Sequence, residues 1–244
     1  MMKLKINDRA ALAIKNRTKR VEIRANKNDE HDYNSLKEND IIEFTSNNLG
    51  VFYVKVKEVN HYNTLEELFT LEGTKYTTSS TDVKEEAIKS INSLDGYEEA
   101  ISKSGVYAIH IEYLYSENTV WEELLEKAIA VRQSRDVSGM ISAGQVSAAI
   151  LTKNHNIYTG VCIDTACSIG MCAERNALST MITNGEFEVE KLVCIGGRGL
   201  MLPCGVCREF MMQLSKENGE LDILIDMDKK ETIKLKDLIP NWWN

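Results

Sequence analysis

Along the first half of the chain, apolar and polar residues alternate in short runs. Residues 40–44, 50–59 and 106–113 combine this alternation with β-branched and aromatic side chains, which predicts strands of a small barrel or sheet. Residues 64–69 and 83–92 have helical spacing, and 74–81 form a polar loop. The character changes near Glu117, and residues 113–119 read as a short linker. At 244 residues the chain exceeds one typical domain, so we divide it into residues 1–116 and 117–244.

Beyond the boundary, residues 120–135 repeat apolar positions at helical spacing (Leu124, Leu125, Ala128, Ile129, Val131). Residues 146–151 and 156–163 flank Lys153-Asn154-His155 as strand, turn and strand. A helix over 172–183 follows, then a buried-type strand over 191–196, a helix opened by Pro203, and a strand over 221–225. This β, β, α, β, α, β order predicts a mostly covered sheet of the α/β class. Gly196-Gly197-Arg198-Gly199 reads as a turn, and Trp242 and Trp243 are expected to anchor the last residues by packing.

A hydrophobic content of 43% with 27% charged residues excludes a disordered chain. No apolar run approaches the ~18 residues that span a bilayer, and residues 1–5 lead into no signal-peptide core, so we expect a cytoplasmic protein. The net charge of -8 argues against a whole-chain nucleic-acid binder. Residues 1–27 are the exception, with nine Lys or Arg against Asp8 and Glu22.

All six cysteines fall between Cys162 and Cys207. A secreted disulfide framework would spread its pairs, so metal binding in a reducing compartment accounts better for the clustering. Cys172, Cys204 and Cys207 fit a zinc pattern, whereas Cys162, Cys167 and Cys194 lie among apolar or small residues and are expected to be small buried hydrophobes. Zinc held by three protein groups keeps a fourth position for water, the arrangement of a catalytic site. Cys204 and Cys207 are three apart on a helix and share a face. Cys172 and Glu174 are two apart, and both face one point only if the metal lies off the helix N-terminus. Such a metal lowers the pKa of bound water to roughly 7, and Glu174 is the carboxylate at hand to take the proton. Arg175 and Arg208, each directly after a ligand motif, are expected to hydrogen-bond the sulfurs and withdraw negative charge. The alternative is a closed four-ligand site completed by Cys167 or, less readily, His155.

Cys-Ala-Glu-Arg at 172–175 and Pro-Cys-Gly-Val-Cys-Arg at 203–208 resemble the cytidine deaminase family, including its blasticidin-type branch. The resemblance covers residues 120–244 and implies an α/β three-layer domain holding one Zn²⁺ per chain on Cys172, Cys204 and Cys207. It also implies hydrolytic deamination of a free cytosine nucleoside to the uracil nucleoside and ammonia, with Glu174 as proton shuttle. Family members acting on free nucleosides usually carry Asn-x-Glu where this chain has Cys162-Ile163-Asp164. Asp164, Cys162 and Ala173 are the expected substrate-binding residues, and cytidine, deoxycytidine or a modified analogue all stay open. A homo-oligomer, dimer or tetramer, is implied by the same resemblance.

Lys19-Arg20-Val21-Glu22-Ile23-Arg24, with residues 36–44 and 105–111, resembles an ASCH domain, which implies an α+β PUA-like β-barrel binding RNA or a nucleotide. Some small members are deacetylases of acetylated cytidine. Glu22 stands where those carry threonine, so the expectation is ligand binding through Lys19, Glu22 and Arg24. The alternative function for the whole chain is an RNA- or nucleotide-binding protein whose zinc is structural or acts on cytosine within RNA.

Overall fold

The computed structural model describes residues 1–27 and 31–243 and divides into two compact units, Met1–Asn118 and Thr119–Asn244. In the first unit, β1 (Met2–Lys5), α1 (Asp8–Lys15), β2 (Val21–Arg24), β3 (Ile41–Ser46) and β4 (Gly50–Tyr62) are followed by α2 (Leu65–Glu72), α3 (Lys84–Asn92), α4 (Tyr97–Ser104) and β5 (Val106–Ser116). The sheet order is β1-β3-β4-β5-β2, with β1 parallel to β3 and every other pair antiparallel. β1 and β2 are its edges, so the strands form a half-barrel sheet, in keeping with the α+β PUA-like barrel expected. The alternation along β5 serves two cores. Tyr107, Ile109 and Ile111 join Phe44, Phe52 and Ile14 of α1, whereas Val106 and Ala108 join Leu68, Ala87 and Ile101 of α2, α3 and α4.

Five parts of this unit depart from the pattern-based reading: residues 113–116, and β1, α1, β2 and α4, for which the pattern gave no element. Residues 113–116 are not a linker: Tyr115 and Ser116 pair with Tyr53 and Phe52, and the Ser116 hydroxyl donates to Leu49 O at 2.9 Å. Helix α1 and strand β2 lie inside the basic stretch, where charged residues obscure the short apolar runs. Asn7 caps α1 by accepting from Ala10 N at 2.8 Å.

The second unit runs α5 (Val120–Val131), β6 (Arg135–Ser138), β7 (Ile141–Thr152), β8 (Ile157–Thr165), α6 (Ala173–Thr183), β9 (Val189–Gly196), β10 (Gly199–Leu200) and α7 (Gly205–Leu214), then β11 (Asp222–Asp226), β12 (Glu231–Lys234) and α8 (Leu235–Leu238). β7 pairs antiparallel with β8 and β9, β9 lies parallel to β11, and β12 closes on β11. Successive residues of β7 face opposite layers. Ala148 and Ile150 pack with Leu178 and Met181 of α6 and Met211 of α7, while the Ser147 hydroxyl donates to Ala128 O of α5 at 2.6 Å. The sheet is therefore covered on both sides.

Helix α5 stops at Val131, short of the expected residue 135. Arg132 leaves helical geometry at ψ 84 and its Nε donates to Gln145 O at 2.9 Å, and residues 135–138 form the wholly exposed strand β6. Pro203 does not open α7: Cys204 is its extended N-cap residue, one position later. No helix among the described residues is long and apolar enough to cross a membrane.

Candidate metal centre

Helices α6 and α7 both begin at a cysteine. Cys172 (φ -66, ψ 152) and Cys204 (φ -68, ψ 167) are N-cap residues in extended geometry, and neither thiol makes a side-chain cap hydrogen bond. Cys207 sits one turn into α7, fully buried. The three sulfurs lie within 4.8 Å of one another, with Cys172–Cys204 and Cys204–Cys207 each at 3.6 Å. Sulfurs at ~2.3 Å from a tetrahedral zinc are about 3.8 Å apart, so the donor set fits that ion in both chemistry and spacing.

Local sequence explains why the helices converge. Gly160 of β8 lets α6 come close: a Cβ there would stand 2.4 Å from Ala177 N and 2.5 Å from Ala173 O. Asn176 Nδ2 donates to Val161 O at 3.0 Å and ties the same helix turn to β8. The connecting loop doubles back on the strand through two 2.8 Å bonds between Ile163 and Met171, which delivers Cys172 to the helix start.

Glu174 is 4% exposed. Burial pushes its carboxyl above the ordinary carboxylate range, with its own backbone N–H, the Cys207 and Cys194 thiols and Arg175 partly offsetting. Burial also raises the Cys172 and Cys207 thiols. At Cys204 burial is outweighed by the backbone N–H groups of Cys207 and Val206 and by the neighbouring thiols, and the net shift is downward.

Glu174, Cys172 and Cys204 line one cavity of about 580 Å³ together with Cys162, Asp164 and Ala173. Part of its wall, Gln145 and Val146, is shaped by an irregularity in β7. Gly144, Gln145 and Val146 stand opposite Cys162 alone, and Gly144 takes φ +85 where a Cβ would collide with Gln133 O. The Val146 N–H freed by this bulge donates to Cys162 Sγ at 3.2 Å, and that thiol donates to Asp164 Oδ2 at 3.5 Å.

The two arginines depart from expectation. Arg175 Nη2 donates to Gly170 O at 3.1 Å, and Arg208 donates from Nε to Pro203 O at 2.8 Å and from Nη1 to Leu238 O at 2.9 Å. Backbone carbonyls facing the guanidinium groups capture them in place of the sulfurs. Cys167 is exposed in the β8–α6 loop, neither buried nor in the thiol cluster, and His155 lies outside the cluster too. Cys162 and Cys194 are buried.

Gln145, Cys194, Met201 and Leu202 also line the cavity and were not anticipated. A glycine inside the β7 pattern was the available signal for the bulge and Gln145. Period-two spacing from Leu192 sets Cys194 on the helix-facing side of β9.

In the first unit Lys19 and Glu22 are each 6% exposed. Lys19 Nζ donates to Val21 O at 2.6 Å and to Thr77 O, and lies 3.4 Å from Glu22 Oε2. Arg24 Nη2 bridges the two sheet edges, 2.8 Å from Glu22 Oε1 and 2.9 Å from Lys5 O. Burial lowers the Lys19 pKa against the pull of Glu22. The three residues line a cavity of about 220 Å³ with residues 77–80 and Tyr97.

Residues 119–218 match the family described as the cytidine and deoxycytidylate deaminase zinc-binding region, and residues 4–114 match the ASCH domain. Similar solved structures include cytidine deaminase from Mycobacterium tuberculosis, 23% identical over 51% of this chain and 98% of that one, with a TM-score of 0.43. Cytidine deaminase from Burkholderia pseudomallei is 26% identical over 50% and 98%, TM-score 0.41, and that from Bacillus anthracis 21% identical over 50% and 88%, TM-score 0.39. This chain thus joins an N-terminal ASCH domain to a C-terminal cytidine/deoxycytidylate deaminase zinc-binding domain.

Proposed function

We propose that the C-terminal domain is a zinc-dependent hydrolase that deaminates a free cytosine nucleoside, cytidine, deoxycytidine or a modified analogue, to the uracil nucleoside and ammonia. One observation carries this reading: the α6 and α7 N-termini bring three thiols within 4.8 Å of one another, and two of them, Cys172 and Cys204, line one cavity with the buried Glu174 carboxylate. Cys172, Cys204 and Cys207 would hold the ion. When bound, zinc supplies the positive charge that makes a water nucleophile available at neutral pH. Glu174 would take a proton from that water as the oxygen bonds to the reacting carbon and pass it to the adjacent ring nitrogen; it would then take the second proton from the hydroxyl now on that carbon and give it to the departing amine, which leaves as ammonia. A carboxyl raised by burial accepts a proton more readily than a free carboxylate does, as the first transfer requires. Asp164, set at the rim with one oxygen engaged by Cys162, is oriented to accept from a sugar hydroxyl. Ala173 offers a small wall beside Glu174.

Zinc-loaded protein incubated with cytidine and deoxycytidine should lose the cytosine absorbance and release ammonia in equal amounts. Absence of turnover on every cytosine nucleoside tried would reject the reading. Six free thiols fit a reducing, cytoplasmic setting, and sedimentation would test the homo-oligomer implied for this family.

A second reading concerns the ASCH domain. Lys19, Glu22 and Arg24 line a cavity, and a neighbouring groove of about 430 Å³ is lined by Lys3, Lys5, Arg24, Lys27, Tyr33 and Tyr97. Basic and aromatic side chains together favour RNA or a nucleotide. Binding of a labelled oligoribonucleotide should then weaken steeply with salt. Comparing turnover on that oligonucleotide with turnover on free nucleoside separates deamination within RNA from nucleoside chemistry.

A further inference from the structure

Helix α7 is tied to the C-terminal segment by contacts that core packing does not require. Arg208 follows Cys207 directly. Its Nε reaches the carbonyl just before Cys204, closing the Cys204–Cys207 turn from behind, and its Nη1 reaches Leu238 O at the end of α8. The next residue, Glu209, collects three donors: Trp242 Nε1 at 2.9 Å, Trp243 Nε1 at 3.2 Å and Gln213 Nε2 at 2.7 Å. Trp242, Leu238 and Ile239 also pack against the core that contains Cys207 and Met211. Packing accounts for Trp242, but Trp243 is 72% exposed and its specific contact is the Glu209 carboxylate.

We propose that residues 235–243 form a clamp that fixes the first turn of α7, with Arg208 and Glu209 as positioning residues for the metal centre. The inference rests on the zinc reading given above. Its physical basis is that Cys204, at the start of α7, makes no side-chain cap hydrogen bond and its sulfur is the proposed ligand, so the turn draws its order from the bonds of Arg208 and the C-terminal segment. A tetrahedral ion tolerates little error in sulfur position, so order imposed on Cys204 and Cys207 before binding slows loss of the ion. Arg208 therefore acts on the sulfurs through backbone carbonyls, not through charge delivered to them.

The test is zinc transfer from full-length protein to an excess of chromophoric chelator. The double variant Trp242→Phe/Trp243→Phe keeps an aromatic ring at each position, smaller than the indole, and deletes both N–H donors, and Glu209→Gln weakens the acceptor without removing ring volume. Each should release zinc about tenfold faster, the size expected for one or two hydrogen bonds to a carboxylate. The visible bands of the cobalt(II)-substituted double variant should lose intensity as tetrahedral order is lost. Ile223→Val, which loosens the same buried core but removes none of the clamp's hydrogen bonds, should release zinc at the wild-type rate. Unchanged release in both clamp variants overturns the proposal, as does equal acceleration in Ile223→Val. Wild-type protein that retains no zinc overturns the metal-centre reading itself, and the clamp with it.

Discussion

Gly160→Ala tests the contact on which the metal centre is built. The added Cβ would stand 2.4 Å from Ala177 N and 2.5 Å from Ala173 O, whereas ordinary contact begins near 3.4 Å, so α6 must retreat by about 1 Å. The helix has little room to do so, because Ala177, Leu178 and Met181 are fully buried on its inner face. Overpacking of this kind costs ~1–3 kcal/mol. For a unit of this size that corresponds to a melting temperature lower by about 3–15 °C. The displacement also carries Cys172 away from Cys204. Their 3.6 Å separation would grow toward ~4.6 Å, past the ~3.8 Å edge of a zinc–thiolate tetrahedron. Thermal denaturation with chelator present measures the first effect, and the added stability on zinc addition measures the second. A Gly160→Ala protein that melts like wild type would refute the packing argument. One that melts early yet gains the wild-type increment from zinc would show that α6 relaxes without moving the site.

Three further outcomes follow from other parts of the molecule. Glu174→Gln should retain zinc in chelator competition while losing about 10²–10⁴-fold in turnover, and retained turnover would remove Glu174 from the proton path. Lys19→Met leaves Glu22 buried with Arg24 as its remaining cation, and should lower stability in urea by ~3–5 kcal/mol; a neutral result would mean that the buried pair contributes nothing net. Glu72 is pushed up by burial but held below the usual carboxylate range overall by donors from Tyr62, Asn60 and His110. A depressed carboxyl stabilises the fold above its unfolded pKa of about 4.3 and loses that contribution as pH falls through the lower folded value. The stability gap between wild type and Glu72→Gln should therefore be widest above about pH 5 and close in stronger acid; a gap independent of pH would contradict the assignment.

The strands that were legible in the sequence are those with one strongly patterned face or a wholly apolar run. β3, β4 and β5 alternate, and β9 is continuous, so period and composition agreed. β6 could not be read, because Arg135-Asp136-Val137-Ser138 is exposed throughout and its partner alone makes it a strand. β1 and β2 are four residues each, too short for alternation to stand out from the surrounding lysines and arginines. In the site, spacing was enough for the thiols because each run contains its own helix start. It was not enough for Arg175 and Arg208, because the carbonyls that capture them come from loops, at Gly170 and Pro203, and from the end of α8, at Leu238, whose approach no local pattern specifies. The cavity wall at Gln145 and Val146 was hidden for a similar reason: the bulge at Gly144 is a relation between two strands.

The departure of the arginines changes the electrostatic account of the centre. A divalent ion on three thiolates carries a formal charge of -1, and excess negative charge makes a metal a poor Lewis acid. Had the guanidinium groups met the sulfurs, they would have withdrawn that charge directly. Instead the cluster lies at the N-termini of both α6, eleven residues long, and α7, ten residues long. Each such terminus presents roughly half a positive charge within its first turn, so two converging helices supply about the one unit required. The thiols register the field unequally. Cys204 alone has its pKa lowered, because backbone N–H groups of Val206 and Cys207 point at its sulfur, while burial dominates at Cys172 and Cys207. On this account Cys204 is the thiol best prepared to meet an incoming ion as thiolate. The arginines then serve geometry: Arg175 holds the loop that delivers Cys172, and Arg208 holds the turn that carries the other two ligands.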